Sequence, residues 1–96
     1  MTVYAPISID RPDSVALRMA PREAHLAYVR ERQSQVKFAA PFVSDAGEMN
    51  GTILQIEAES RAEAESFQAE PPYAKAGLFG RVDIRICPPN YEFIRL

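Results

Sequence analysis

Two hydrophobic periods alternate along this 96-residue chain, and their order leaves few folds open. In "TVYAPISI", Val3, Ala5, Ile7 and Ile9 alternate with Tyr4, Pro6 and Ser8, the period of a strand. Pro6 has no N–H for a ladder and is expected at a bulge or opposite an unpaired gap. Residues 10–35 are helical in composition. Asp10 with Pro12 close behind makes a start signal, and Pro21 divides the segment into a short turn of helix and a longer helix. "VKFAAPFV" is a second strand, "SDAGEMNG" a loop, and "GTILQIEAE" a third strand, with Thr52, Leu54, Ile56 and Ala58 on one face. Two strands joined by a short loop make a hairpin. Ser60 and Glu63 have the spacing of a capping box and open a helix through Ala69. Pro71 and Pro72 end that helix, residues 73–76 add one turn, and Gly77 suits a left-handed exit. "FGRVDIRIC" is the last strand.

The order is therefore βαββαβ. Two right-handed crossovers around a hairpin give the α+β ferredoxin-like fold, an antiparallel sheet with both helices on one face. The other face is left bare. It is expected to include several of Tyr4, Ile53, Phe79 and their neighbours, and a homodimer packed through it would keep that apolar surface from water. One domain is expected over residues 1–96. Its C-terminal tail, residues 90–96, carries Tyr91, Phe93, Ile94 and Leu96 and is expected to pack on the sheet or on a partner subunit.

Charge and cysteine content narrow the partners. A net charge of −2 offers no basic excess for nucleic acid or an anionic membrane surface. The one cysteine, Cys87, excludes an internal disulfide and a cysteine zinc cluster. No apolar run approaches the roughly 20 residues that span a bilayer. A cytoplasmic protein is the expectation.

The chain has a single histidine, His25. On a helix it lies beside the apolar stripe of Leu26 and Val29, with Arg22 one turn earlier. Two readings are open. Such a histidine can simply bond a backbone carbonyl. It can also be a general base beside an arginine that holds an anion, because imidazole titrates near neutral pH and guanidinium binds carboxylates and phenolates through a two-pronged fork.

"LRMAPREAHLAYV" resembles the R-x₃-R-x-x-H-L segment of the YciI-like family of the dimeric α/β-barrel superfamily, through Arg18, Arg22, His25 and Leu26. "FAAPF", "NGTILQIEAESRAEAESF" and "PPYAKAGLFGRVDIRI" resemble the motifs that follow in that family, so the likeness runs over residues 2–87. The resemblance implies a ferredoxin-like homodimer with a cleft for a small, anionic molecule and a histidine–aspartate pair. Related branches act on hydroxylated aromatic rings, by dehydrochlorination or muconolactone-type isomerisation, and need no cofactor or metal. By this likeness His25 is the base, Arg18 and Arg22 hold the anion, and Thr52 and Tyr73 line the cleft.

One position departs from the pattern. Where the family has aspartate before Pro-Tyr, this chain has Pro71, which offers neither a side-chain acceptor nor an N–H. Glu70, one residue earlier, is the candidate replacement, with Asp45 in the hairpin loop a second. Two function classes follow: a cofactor-free enzyme of proton transfer, elimination or isomerisation on a small aromatic or enolic anion, or a dimeric binding module that kept the fold and lost the acid.

Overall fold

The computed structural model describes residues 2–88. The expectation about Tyr91, Phe93, Ile94 and Leu96 lies outside the described residues. Four strands and four helices follow in the order β1 (Thr2–Asp10), α1 (Val15–Met19), α2 (Arg22–Glu31), β2 (Val36–Val43), β3 (Met49–Ala58), α3 (Arg61–Ala69), α4 (Pro72–Lys75) and β4 (Phe79–Ile86). The strands form one sheet in the order β2-β3-β1-β4, with every neighbouring pair antiparallel. This is the ferredoxin-like α+β arrangement. Among the described residues no helix is long and apolar enough to cross a membrane.

Local chemistry sets the element ends. Ser60 caps α3 by accepting from the Glu63 N–H at 3.2 Å. The Glu63 carboxylate reaches back to the Glu59 N–H at 3.0 Å, one residue before the cap. Pro21 stands at the N-cap of α2, where a missing N–H costs nothing. Gly77 leaves α4 at a φ of 74°, a left-handed value that a side chain would strain. In β1, Pro6 faces Ile84 of β4, while the β1–β3 ladder passes from Tyr4↔Ile56 to Ile7↔Ile53 without pairing Ala5 or Pro6. The proline thus occupies the unpaired gap that its missing donor requires.

Register decides which face is covered. Tyr4 opposes Ile56, and both enter a core with Leu54, Ala58, Ala64 and Phe67, closed by Tyr28 of α2. Helices α2 and α3 therefore pack on the same face. The expectation that Tyr4 and Phe79 lie on the bare face is corrected. Tyr4 is 6% exposed beneath the helices, and Phe79, paired with Asp10, turns its ring edge-on to Tyr73 at 6.4 Å. Ile53 does lie on the helix-free face, opposite Ile7 and Ala40. That face also carries Ile9 and Phe38, both large and exposed.

Candidate functional site

A cavity of about 220 Å³ opens between the helices and the β2–β3 end of the sheet. Arg18 of α1 and Arg22, His25, Leu26 and Val29 of α2 line one side, the continuation of one helical stripe across Pro21. Thr52 and Leu54 of β3, Pro41 of β2 and Tyr73 of α4 line the other. Its floor is mostly apolar, and its charged lining groups are the two arginines.

Arg18 is the most tightly held of these side chains. Its Nε lies 2.7 Å from Asp10 Oδ2, and its Nη2 lies 3.0 Å from Asp10 Oδ1 and 2.9 Å from Thr52 Oγ1. Both members of the ion pair are almost fully buried. The planar fork suits such a site, since it can satisfy two carboxylate oxygens at once. Asp10 arrives at the end of β1, on the same face as Ser8, and aims its carboxylate under α1.

His25 is held in a different way. Its ring stacks on that of Tyr73, centroid to centroid 3.7 Å and 12° from parallel. The Arg18 guanidinium carbon lies 4.7 Å from the Tyr73 ring centre. His25 is only 7% exposed, and its Nδ1 is sealed from solvent with no hydrogen-bond partner among the described residues. Burial, followed by the charge of Arg18, lowers its pKa from 6.5 to about 4. The imidazole is therefore neutral at pH 7.

Five of the six candidate residues, Arg18, Arg22, His25, Thr52 and Tyr73, thus meet at one cavity. Glu70 does not, and its expected approach to His25 is corrected. It stands at the C-cap of α3, and its carboxylate turns outward to Lys75 at 3.5 Å with most of its surface in water. Asp45 lies in the exposed hairpin loop, away from the cavity lining. Pro71, fully buried at the N-cap of α4, occupies the turn that delivers Tyr73. Sequence reasoning missed Asp10, taking it for a helix start signal. Its signal was the alternation Tyr4, Pro6, Ser8, Asp10, which carries the strand one residue further and points the carboxylate at the helices.

A four-stranded antiparallel sheet with helices on one face, and a small arginine-lined cavity beneath them, make this a ferredoxin-like α+β domain. The chain belongs to the YCII-related family, whose domain matches residues 2–88. It is similar to the 5-chloro-2-hydroxyhydroquinone dehydrochlorinase TftG of Burkholderia phenoliruptrix AC1100, solved in complex with 2,5-dihydroxybenzoquinone. The identity is 29%, over 94% of this chain and 97% of that one, with a TM-score of 0.85. A NIPSNAP family protein from Agrobacterium tumefaciens shares the fold at 19% identity and a TM-score of 0.55, over 92% and 91% of the two chains. So does a putative antibiotic biosynthesis monooxygenase from Bacteroides thetaiotaomicron, at 17% and 0.56, over 92% and 88%. No curated protein matches the chain.

Proposed function

We propose that this protein is an enzyme of proton transfer, catalysing elimination or isomerisation on a small hydroxylated aromatic or enolic anion, with His25 as the base. The observation that carries this reading is a buried, neutral imidazole in a cavity whose charged lining groups are arginines. Arg22, and the edge of Arg18 that Asp10 and Thr52 leave free, hold the developing oxyanion. Tyr73 and the apolar floor take the ring. Negative charge on the bound substrate offsets Arg18 and raises the basicity of His25 in the complex.

The chemistry is redox-neutral, so it calls for no redox cofactor. In an isomerisation, an O–H proton passes to His25, the oxygen's electron pair closes a carbonyl, and the proton returns at carbon. In a dehydrochlorination the proton returns at the carbon bearing chlorine. A second hydroxyl then loses its proton and becomes a carbonyl, and chloride leaves with the C–Cl electron pair. The sum is loss of one HCl. The likeness to TftG supports the aromatic class of substrate. The protein works as a homodimer joined through its helix-free face, where Ile9 is 44% and Phe38 49% exposed.

A second reading rests on the unpartnered Nδ1 of His25 and on Pro71. A base without an orienting acceptor is weakened, and a binding module would need none. The test is turnover of chlorinated hydroxyhydroquinones and enol lactones, followed by absorbance and chloride release. The enzyme reading expects His25→Gln to lower kcat by about 10²–10⁴. Binding of these molecules by the unaltered protein with no turnover of any would overturn it in favour of the binding module.

A further inference from the structure

The buried Nδ1 of His25 has no hydrogen-bond partner among the described residues, yet the ring sits at a defined angle against Tyr73. Something other than an acceptor holds it. We infer that Tyr73 is the positioning residue for His25, its ring face fixing the plane of the imidazole in the place of a hydrogen-bonded partner. The inference rests on the proposed role of His25 and deepens it.

Three observations converge on Tyr73. The two rings are near parallel and in van der Waals contact, a face-to-face stack. Tyr73 is itself immobilised, 4% exposed, with the edge of Phe79 against it at 6.4 Å and Arg18 over its ring. Arg18 in turn is tied to Asp10. Rigidity therefore passes from the ion pair through Tyr73 to His25 by packing alone. The short helix α4 that carries Tyr73 begins directly after Pro71, whose fixed backbone sets where the ring points.

A stack fixes a plane but does not choose between the two ring nitrogens. A hydrogen-bonded partner would do both. Charged groups at the imidazole do not make up the difference. Arg18 and Arg22 are cations, Thr52 is neutral, and Asp10 is committed to Arg18. His25 in this chain is thus held in plane and kept neutral, with its tautomer left to whatever occupies the cavity.

The single histidine makes the test clean, because every imidazole signal in a ¹⁵N- and ¹H-NMR spectrum belongs to His25. In the unaltered protein its ring protons should be shifted upfield, show NOEs to the Tyr73 ring, and titrate near pH 4. Tyr73→Phe keeps the stack and should keep all three. Tyr73→Leu removes the aromatic face and keeps an apolar neighbour. It should abolish the upfield shift and scatter the ring's NOEs to its other cavity neighbours as the plane is released, while the midpoint, set by burial and Arg18, stays low. If Tyr73→Leu folds and leaves the His25 signals unchanged, or if Tyr73→Phe moves them as far as Leu does, the inference is overturned. Should Tyr73→Leu fail to fold, the NOEs and upfield shift of the unaltered protein decide alone, and their absence overturns it. These readouts need no turnover. Failure of the enzyme reading would appear separately, as normal His25 signals in a protein that converts no substrate.

Discussion

Two constellations, a charged wall and an aromatic wall, cut across both sides of the cavity and are built on opposite principles. On one, Arg18 is tied to Asp10 by two hydrogen bonds and to Thr52 by a third, all within 3.0 Å. On the other, His25 meets Tyr73 face to face, and among the described residues its buried Nδ1 meets nothing that accepts or donates. The charged wall satisfies its polar atoms with partners from β1 and β3, two central strands of the sheet, so its geometry is inherited from the most rigid part of the molecule. The aromatic wall comes from α2 and from the four-residue helix α4. A fixed cation beside an imidazole free to change tautomer suits a site that binds an anion firmly and lets the proton move.

The contrast breaks most visibly at Asp10. Removing one partner of a buried ion pair strands the other charge, at a cost of about 3–5 kcal/mol. Asp10→Ala should therefore lower stability by that order in urea unfolding, with Arg18 left buried and alone. The double change Asp10→Leu with Arg18→Met removes both charges and should recover most of the loss. If Asp10→Ala is as stable as the unaltered protein, the charged wall is not the rigid one.

Acid tests the other wall. The pKa of His25 lies near 4 in the folded protein and at 6.5 in the unfolded chain. Between those values the unfolded chain binds the extra proton, so stability falls as the pH drops from 6.5 to 4. The shift corresponds to about 3 kcal/mol across that window, with no contribution to the slope above it. His25→Gln should flatten this part of the stability curve relative to the unaltered protein. Parallel curves for the two would show that the imidazole is not desolvated.

Most of the fold was legible because it is written in local spacing. The capping pair Ser60 and Glu63, the division at Pro21 and the exit at Gly77 each involve residues within a turn of one another. Alternation along β1 separated its two faces, yet not which one the helices cover. That depends on Tyr4 meeting Ile56 and Phe67, residues more than fifty positions away. The site divided in the same way. Arg18, Arg22 and His25 share a helical stripe and could be read together. Asp10 could not, because its partner lies across a turn and its role appears only when β1 and α1 are packed. Glu70 failed for a local reason: a step of one residue at a helix end rotates the side chain by about 100°, which here turns it to Lys75 and water.

Pro71 offers a way to make the two walls alike. Pro71→Asp places a carboxylate at the N-cap of α4, a position where aspartate is favoured and the helix start is preserved. Negative charge brought near the imidazole stabilises its protonated form. The His25 midpoint should rise from about 4 by a pH unit or more, read from its ring signals. An unmoved midpoint in a folded variant would show that residue 71 does not communicate with His25.

The smallest effect is expected at Thr52, where the charged wall has a bond to spare. Its hydroxyl accepts from Arg18 Nη2 at 2.9 Å, but the same nitrogen also reaches Asp10 Oδ1 at 3.0 Å. Thr52→Val removes the hydroxyl and keeps the β-branched shape suited to a strand. The guanidinium keeps its carboxylate, so the loss should be about 1 kcal/mol, the net worth of one hydrogen bond, and well below the cost of Asp10→Ala. Thr52→Ser keeps the acceptor and should lose less still. Binding separates the hydroxyl's two roles. While its oxygen accepts from Arg18, its proton is free for a ligand, so Thr52→Val should weaken binding of the hydroxylated aromatic anion of the proposed function by more than its effect on stability, and Thr52→Ser should not. If Thr52→Val costs as much stability as Asp10→Ala, the wall depends on Thr52 and the Asp10 pair is not sufficient to hold Arg18. If it costs neither stability nor affinity, the third bond is a contact of geometry alone and the charged wall rests on Asp10.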